Sequence, residues 1–159
     1  MKIASIVTIK KELQHLPKED LLGLCLRLGK FKKENKALLT YLLFEAHDED
    51  GYVSSVKSTL DELFEGMNTD SYFYMKKTIR KILRQIRTYS RYSSKKSTEI
   101  ELLLYFCERL NELHPSIHRN RTLNNLYERQ IISIKKKITG LHEDLQYDYS
   151  MQLNDLKSF

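Results

Sequence analysis

Apolar residues recur at helical spacing along nearly the whole chain, and no run of strict alternation indicates a strand. This pattern predicts an all-α bundle of about seven helices in a single domain, residues 1–159. The first three helices are predicted from about Ser5, from Pro17 to Gly29 and from Lys32 to His47. The second is apolar around most of its circumference, which is typical of a helix in the middle of a bundle.

Three further helices are predicted in the central part of the chain. Asp48–Gly51 reads as a turn, and the fourth helix follows from Tyr52 to Glu65, with Gly66 as a left-handed cap. The fifth is a basic helix over about residues 69–92. The sixth begins at Thr98–Glu101, whose spacing allows a capping box.

Residues 120–156 are predicted to form one long C-terminal helix or a pair of helices, since Gly140 weakens the helical pattern there. Apolar residues alternate at spacings of four and three, as in a heptad seam, which favours packing along a neighbouring helix or a second copy of the chain. The candidate self-association seam consists of Tyr127, Ile131, Ile134, Ile138, Leu141 and Leu145.

The positive charge of the chain is concentrated in one stretch. The chain has 27 Lys and Arg against 21 Asp and Glu, a formal charge of +6. No acidic residue lies between Asp70 and Glu99, where nine basic residues fall. The remainder of the chain has 18 basic and 21 acidic residues, so its formal charge is −3 and it is mildly acidic. One local basic stripe is informative about a binding partner.

Helical spacing places the four arginines of the fifth helix in a strip roughly 60° wide, separate from its apolar face, and two lysines extend the strip towards the N-terminus. Guanidinium groups along one helix can form bidentate hydrogen bonds with phosphates. The neighbouring Phe73, Tyr89 and Tyr92 could stack on the bases of a single-stranded nucleic acid. A solvated face, or neutralisation by acidic helices, remains the alternative interpretation. The candidate phosphate or nucleic-acid contacts are Lys76, Lys77, Arg80, Arg84, Arg87 and Arg91. The candidate neutralising residues are Asp61, Glu62, Glu65, Glu143, Asp144 and Asp148.

The sequence predicts no catalytic residue, cofactor or metal. A calcium loop around Gly51 would place Ala46 and Lys57 at ligand positions, and His142-Glu143 lacks the second histidine of a zinc-protease helix. There is no nucleophile elbow and no phosphate-binding glycine loop. Cys25 and Cys107 lie in apolar runs, where we expect buried, unreactive thiols.

The expected setting is a reducing cytoplasm without membrane contact. The apolar N-terminal stretch is short, ends at Lys10 and Lys11, and lacks a cleavage site for a signal peptide. The two cysteines indicate no disulfide framework. The longest apolar runs are too short to span a bilayer.

Three segments, Lys11–Leu22, Tyr41–Glu45 and Leu141–Tyr149, carry a resemblance to known proteins. They resemble small, uncharacterised all-helical bacterial proteins. These segments cover about a sixth of the chain, and the resemblance implies an all-helical fold and a bacterial cytoplasmic setting. It implies no activity, ligand or functional residue.

Three functional hypotheses follow from these observations. The leading one is a non-enzymatic helical interaction module, binding a protein partner or a second copy of itself. The second is nucleic-acid or polyanion binding through the arginine stripe. The third is an enzyme whose pocket lies between helices, which would be recognised by converging polar side chains with perturbed pKa values.

Overall fold

The computed structural model describes residues 1–156, and that part of the chain contains helices and no strand. The all-helical prediction is confirmed, with eight α-helices in the described residues where about seven were predicted. They are α1 (Ile6–Leu13), α2 (Lys18–Phe31), α3 (Lys33–Thr40), α4 (Glu49–Glu65), α5 (Tyr72–Tyr92), α6 (Lys96–Asn111), α7 (Arg121–Ile138) and α8 (Glu143–Leu156). A π-helical turn, Tyr41–Glu45, follows α3, and a 3-10 turn, Ile117–Arg119, precedes α7.

The chain divides into two compact units. The N-terminal unit, Met1–Phe44, holds α1 to α3, and the C-terminal unit begins at Glu45 and holds α4 to α8. The single domain expected over residues 1–159 therefore stays a prediction.

In the N-terminal unit, α2 and α3 pack against each other around a glycine. A side chain at Gly29 would come within 2.9 Å of the Leu39 Cδ1 atom, so the absence of a Cβ there permits the close approach. The Asn35 side-chain amide donates a hydrogen bond to the Leu28 carbonyl at 2.8 Å, which ties the start of α3 to the end of α2. The α2 helix begins after Pro17, whose fixed φ suits a helix start.

In the C-terminal unit, α6 is the central helix and contacts α4, α5, α7 and α8. It can do so because its apolar residues point in every direction, as the near-continuous run Leu102–Leu104 illustrates. Each surrounding helix buries one apolar stripe against α6 or its neighbours. The fully buried side chains of this core include Leu60, Met75, Ile79, Ile82, Ile86, Ile100, Leu102, Phe106 and Ile134.

Tyrosine hydroxyls join the helices of the C-terminal unit at several points. Tyr52 on α4 donates to the Tyr89 carbonyl of α5 at 2.8 Å. Tyr105 on α6 donates to the Asp61 carboxylate of α4 at 2.5 Å, and Tyr149 on α8 donates to a Glu101 carboxylate oxygen of α6 at 2.6 Å. Each bond satisfies a hydroxyl that would otherwise lose its hydrogen bond to water on burial.

The fourth helix ends at Glu65 as predicted, but its start and the predicted conformation of its cap are wrong. Asp48–Gly51, predicted as a turn, is the N-cap and first turn of α4, because the Asp48 carboxylate accepts the Gly51 N–H at 3.0 Å. Gly66 follows α4 with a φ of −79°, so the cap is not left-handed. Its N–H still bonds the Glu62 carbonyl, which continues the helical pattern at the helix end.

The predicted starts of the next two helices also shift. The basic helix begins at Tyr72 because the Ser71 hydroxyl accepts the Tyr74 N–H and caps it. The sixth helix begins at Lys96, so Thr98 is not its N-cap and the predicted capping box is absent. Instead, the buried Thr98 hydroxyl donates to Glu49 at 2.5 Å, and Ser93 donates to the same carboxylate.

The C-terminal region is a helix pair, the second of the two predicted alternatives. The α7 helix ends at Ile138, and α8 begins at Glu143. The N–H groups of Gly140 and Leu141 bond the carbonyls of Lys137 and Ile138, which closes a tight turn. The weak helix propensity of Gly140 is the local cause of the break.

Candidate interaction surfaces

The predicted self-association seam is divided between the core and the surface. Tyr127, Ile131, Ile134 and Ile138 on α7 are buried within the C-terminal unit, where α7 packs against α6 and α8. Leu141 lies half-buried in the turn, and Leu145 is exposed on α8. The four α7 residues are therefore used inside one chain, and a second copy would have to contact other residues.

The most apolar surface of the described chain lies in the N-terminal unit. Of the 21 exposed large hydrophobic residues in the described chain, 15 fall within residues 1–44. In the same range, all of it described, only Gly29 and Tyr41 are buried. The prediction that α2 lies in the middle of a bundle is therefore wrong, because four of its leucines are exposed. Those leucines are Leu22, Leu24, Leu26 and Leu28.

Charges of opposite sign lie at the two ends of α2. Its first turn begins with Lys18 but carries Glu19 and Asp20, so it is net negative, and its last turn carries Lys30. Lys32 and Lys33 follow directly, and all six of these side chains are exposed. This distribution also complements the helix dipole, which favours acidic residues at the start and basic residues at the end. One end of α2 is therefore electrostatically complementary to the other.

The predicted basic residues lie together along α5, and we call them the basic face. Lys77, Arg80, Arg84, Arg87 and Arg91 are exposed, whereas Lys76 is half-buried. The opposite stripe of α5 is buried and fixes the helix in the core through Met75, Ile79, Ile82, Leu83 and Ile86. An open depression of about 490 Å³ runs along the basic face, lined by Lys77, Thr78, Arg80, Lys81 and Arg84.

The acidic residues considered as neutralising partners do not pair with the basic face. Asp61 instead forms an ion pair with Arg109 at 3.1 Å. Glu62 and Glu65 are exposed. Asp144 lies 3.6 Å from the ring nitrogen Nδ1 of its neighbour His142. Among the described residues, no salt bridge involves an arginine of α5.

Aromatic side chains lie at both ends of the basic face. At the first turn of α5, Phe73 is 62% exposed and packs edge-on against Tyr74, which is also exposed. The Lys77 ammonium lies 4.6 Å from the centre of the Phe73 ring. Tyr89 and Tyr92 form a second edge-on pair at the other end, but both are half-buried.

Two open cavities lie beside α6 and α8. The first, about 310 Å³, is lined in part by Lys57, Glu101, Tyr105 and Tyr149, and the second, about 320 Å³, shares Glu108 and Gln152 with it. Burial and the bond to Asp61 raise the pKa of Tyr105 to about 12. Burial and the bond to Glu101 likewise raise the pKa of Tyr149. Both phenols therefore stay protonated near neutral pH, where a general base needs a pKa close to the working pH.

The two cysteines have different environments. Cys107 is fully buried in α6, and burial raises the pKa of its thiol to about 12. Cys25 on α2 is exposed, so the expectation that it is buried is wrong. The described residues contain no group of three or more His, Cys, Asp or Glu side chains that could hold a metal ion.

Comparison with known proteins adds no relative. No family model, no curated protein and no solved structure matches the chain. Within the described residues, no helix combines the length and the apolar character that crossing a bilayer requires. The functional proposal therefore depends on the two surfaces described above.

Proposed function

We propose that the chain is a helical interaction module whose N-terminal unit associates with the N-terminal unit of a second copy. The observation that carries this proposal is the uncovered apolar surface of α1 to α3. A helix that is apolar around its circumference requires burial on more than one side, and α3 covers only part of α2. Association between molecules would supply the missing contacts.

The N-terminal unit exposes a large apolar area. Thirteen large apolar residues between Ile6 and Phe44 are exposed, with slightly more than half of their surface accessible on average. A fully exposed Leu side chain offers on the order of 100 Å² at the usual conversion of 25 cal/mol/Å², so the thirteen present roughly 700 Å² in total. Leu22 and Leu24 lie about 200° apart around α2, so one α2–α2 contact would bury only part of this area. A stable protein interface buries about 800 Å² on each partner, so such a dimer would need contacts from α1 or α3 as well.

Charge complementarity favours a second copy as the occupant. With a two-fold axis perpendicular to α2, two α2 helices would cross in antiparallel fashion, so that each residue meets its counterpart at the other end of the helix and the reverse contact is also made. Glu19 at the start of one α2, on the same flank of the Leu22 and Leu26 face as Lys30, would then lie near Lys30 at the end of the other. The proposal thus joins an apolar centre to complementary charged ends. A reducing cytoplasm is the compartment we assign, and both cysteines are free.

Light scattering after size-exclusion chromatography tests the proposal. The wild-type chain is expected to elute as a dimer at micromolar concentration. Leu22→Glu combined with Leu26→Glu should give a monomer whose CD spectrum remains predominantly helical, because both side chains are exposed at 58% and 52% and the C-terminal unit is unaltered. The matched control is Ile132→Glu with Met151→Glu, which places the same charges on exposed apolar positions of the C-terminal unit. A control that dissociates equally, or a monomeric wild type, would contradict the proposal.

A charge exchange tests the antiparallel arrangement. Glu19→Lys alone and Lys30→Glu alone should each weaken the dimer, because each places like charges opposite one another. The double variant Glu19→Lys with Lys30→Glu should restore it, since the opposite charges then meet again with their positions exchanged. Failure of the double variant to recover the dimer would exclude this pairing of α2 helices, even if the apolar variant dissociates.

A further inference from the structure

We propose that the basic face of α5 binds the phosphate backbone of single-stranded nucleic acid. This site lies in the C-terminal unit and uses none of the apolar residues on which the self-association proposal depends. Its ligand class is defined by a linear array of guanidinium groups with an exposed aromatic pair at one end.

The charge array is held on a rigid support. Fully buried Met75, Ile79, Ile82 and Ile86 anchor α5 along most of its length. The Ser71 hydroxyl caps its first turn. A helix fixed in this way presents its cations without ordering a flexible segment, so little conformational entropy is lost when a ligand binds.

The array is linear, as a phosphate backbone is. Arg80 and Arg91 are eleven residues apart, which corresponds to about 16 Å along the helix axis. Arg84 and Arg87 lie between them on the same face. Guanidinium groups form bidentate hydrogen bonds with phosphate oxygens. A single free phosphate would engage only part of this array, whereas a polymer of phosphates would engage all of it.

The aromatic pair distinguishes a single strand from a duplex. Phe73 and Tyr74 are exposed beside Lys77, at the N-terminal end of the basic face. Unpaired bases stack on exposed aromatic rings, whereas bases within a duplex are already stacked on one another. A strand that follows the arginines would therefore place a base against Phe73.

The neighbouring charges leave the basic face available for such a ligand. The nearest acidic residues in sequence are Asp70 before α5 and Glu99 after it. Asp70 is exposed and Glu99 pairs with Lys137 on α7 at 3.0 Å. The ion pairs of the described residues thus leave the arginines of α5 unneutralised. Unneutralised cations attract a polyanion through the release of its condensed counterions.

Fluorescence anisotropy with labelled oligonucleotides tests this proposal across a salt series. The probes are single-stranded DNA, single-stranded RNA and a DNA duplex of the same length. Saturable binding of a single strand is expected, tighter than binding of the duplex. If four to six phosphates are engaged, log K should fall with log salt at a slope of about −3 to −4.

Two variants separate the roles of charge and stacking. Reversal of Arg80, Arg84, Arg87 and Arg91 to Glu should weaken binding about 100-fold or more and flatten the salt slope. Phe73→Ala should weaken single-strand binding about 5- to 150-fold, the range that corresponds to the stacking of one base. It should leave the salt slope unchanged, because no cation is removed. The helical CD spectrum should be retained in both variants, since the altered side chains are exposed.

A matched control carries the same total charge change elsewhere. Reversal of exposed Arg121, Arg129, Lys135 and Lys136 on α7 also lowers the formal charge from +6 to −2, four reversals of two charges each. This control should bind nearly as tightly as the wild type. Equal losses in the two quadruple variants would mean that net charge alone governs binding and would overturn the site.

Three other outcomes would also overturn the proposal. The first is the absence of binding at low salt, where surface electrostatics are strongest. The second is duplex or inorganic polyphosphate that binds as tightly as a single strand, which would indicate a general polyanion surface. The third is salt-sensitive association of the protein with itself that is lost in the α5 variant while oligonucleotides do not bind. That result would mean that the arginines form ion pairs with acidic side chains of another copy of the chain.

Discussion

Burial and charge give chemically similar side chains different properties in this molecule, and the two cysteines are an example. The Cys107 thiol is fully enclosed by the core, and its raised pKa makes the reactive thiolate scarce. The Cys25 thiol lies on the surface of α2. Two residues in similar apolar sequence contexts therefore differ in accessibility.

Thiol labelling with an aromatic disulfide reagent should reflect this difference. We expect one thiol per native chain to react rapidly and both to react in denaturant. Cys25→Ser should abolish the rapid reaction, because only the enclosed Cys107 remains. Rapid labelling of the Cys25→Ser variant under native conditions would contradict the burial of Cys107. Dimerisation through α2 should slow labelling of Cys25, so the reaction is best compared in the Leu22→Glu, Leu26→Glu background.

The raised pKa of Tyr105 makes the free energy of unfolding depend on pH in a specific range. Its pKa rises from 10 to about 12 on folding, so the folded state favours the protonated phenol. The stabilisation is fully present below pH 10 and is lost as the pH rises towards 12. Tyr105→Phe should cost about 1 kcal/mol at pH 8, through the lost bond to Asp61. The difference between variant and wild type should shrink between pH 10 and 12.

Urea unfolding followed by CD at several pH values measures this difference. The comparison with Tyr105→Phe cancels the titration of other groups, including Tyr149 and the lysines. A constant difference in unfolding free energy from pH 8 to pH 11.5 would show that the Tyr105 hydroxyl does not stabilise the fold through its protonated form. A variant as stable as the wild type at pH 8 would contradict the hydrogen bond itself.

The helix α7 offers an internal comparison between a core position and a surface position. Ile134 is fully buried, whereas Ile132 is 67% exposed on the same helix. Ile134→Ala should lower the free energy of unfolding by about 2 to 5 kcal/mol, because it leaves a cavity in a packed core. Ile132→Ala should change it by less than about 0.5 kcal/mol. Both variants should keep the oligomeric state of the wild type as long as they are folded. Dissociation of folded Ile134→Ala would indicate that the α7 seam is intermolecular after all.

Helical periodicity was sufficient to predict the elements of the fold. Most helices fall close to their predicted ranges, because apolar spacing and capping residues are local properties of the sequence. Errors arise where a tertiary contact overrides a local signal. Thr98 resembles an N-cap, yet its hydroxyl donates to Glu49, which is 49 residues away. No local pattern reports a partner at that distance.

It is harder to predict from the sequence which helices are exposed than where the helices lie. The helices α2 and α6 have similarly apolar sequences, with runs such as Leu24–Leu28 and Leu102–Phe106. One is exposed and the other is the centre of the C-terminal unit. Periodicity shows that a helix needs burial on several sides, but it does not identify what covers it. The exposure of the arginines on α5, by contrast, was predictable, because an apolar stripe on one side directs the opposite side to solvent.

At the scale of the whole molecule, the two proposed surfaces belong to different units and should act independently. Substitutions on separate surfaces that share no contact partners have additive effects on free energy. The arginine variant of α5 should therefore keep the dimer, and the leucine variant of α2 should keep the salt slope for each bound strand. A dimer does present two basic faces, so a long oligonucleotide that reaches both should bind more tightly to the wild type than to the leucine variant.

Dilution is expected to affect the two units in different ways. The C-terminal unit has a core of its own, so its amide hydrogens should exchange slowly at any protein concentration. In the described residues 1–44, by contrast, burial of apolar side chains would depend on association, and binding stabilises a fold only while the partner is present. Exchange of the α2 amides should therefore be slow at about 100 µM protein and faster at about 1 µM, on either side of a micromolar Kd.

The variant Leu22→Glu with Leu26→Glu supplies the reference for this hydrogen-exchange measurement. Its α2 amides should exchange rapidly at both concentrations, while the amides of α6 keep the protection that they have in the wild type. Equal protection of α2 in wild type and variant at every concentration would mean that contacts within one chain are sufficient to hold the N-terminal unit. The exposed leucines would then have no role in its stability. Protection that changes with concentration in α6 as well would mean that the whole chain, rather than its first 44 residues, folds on association.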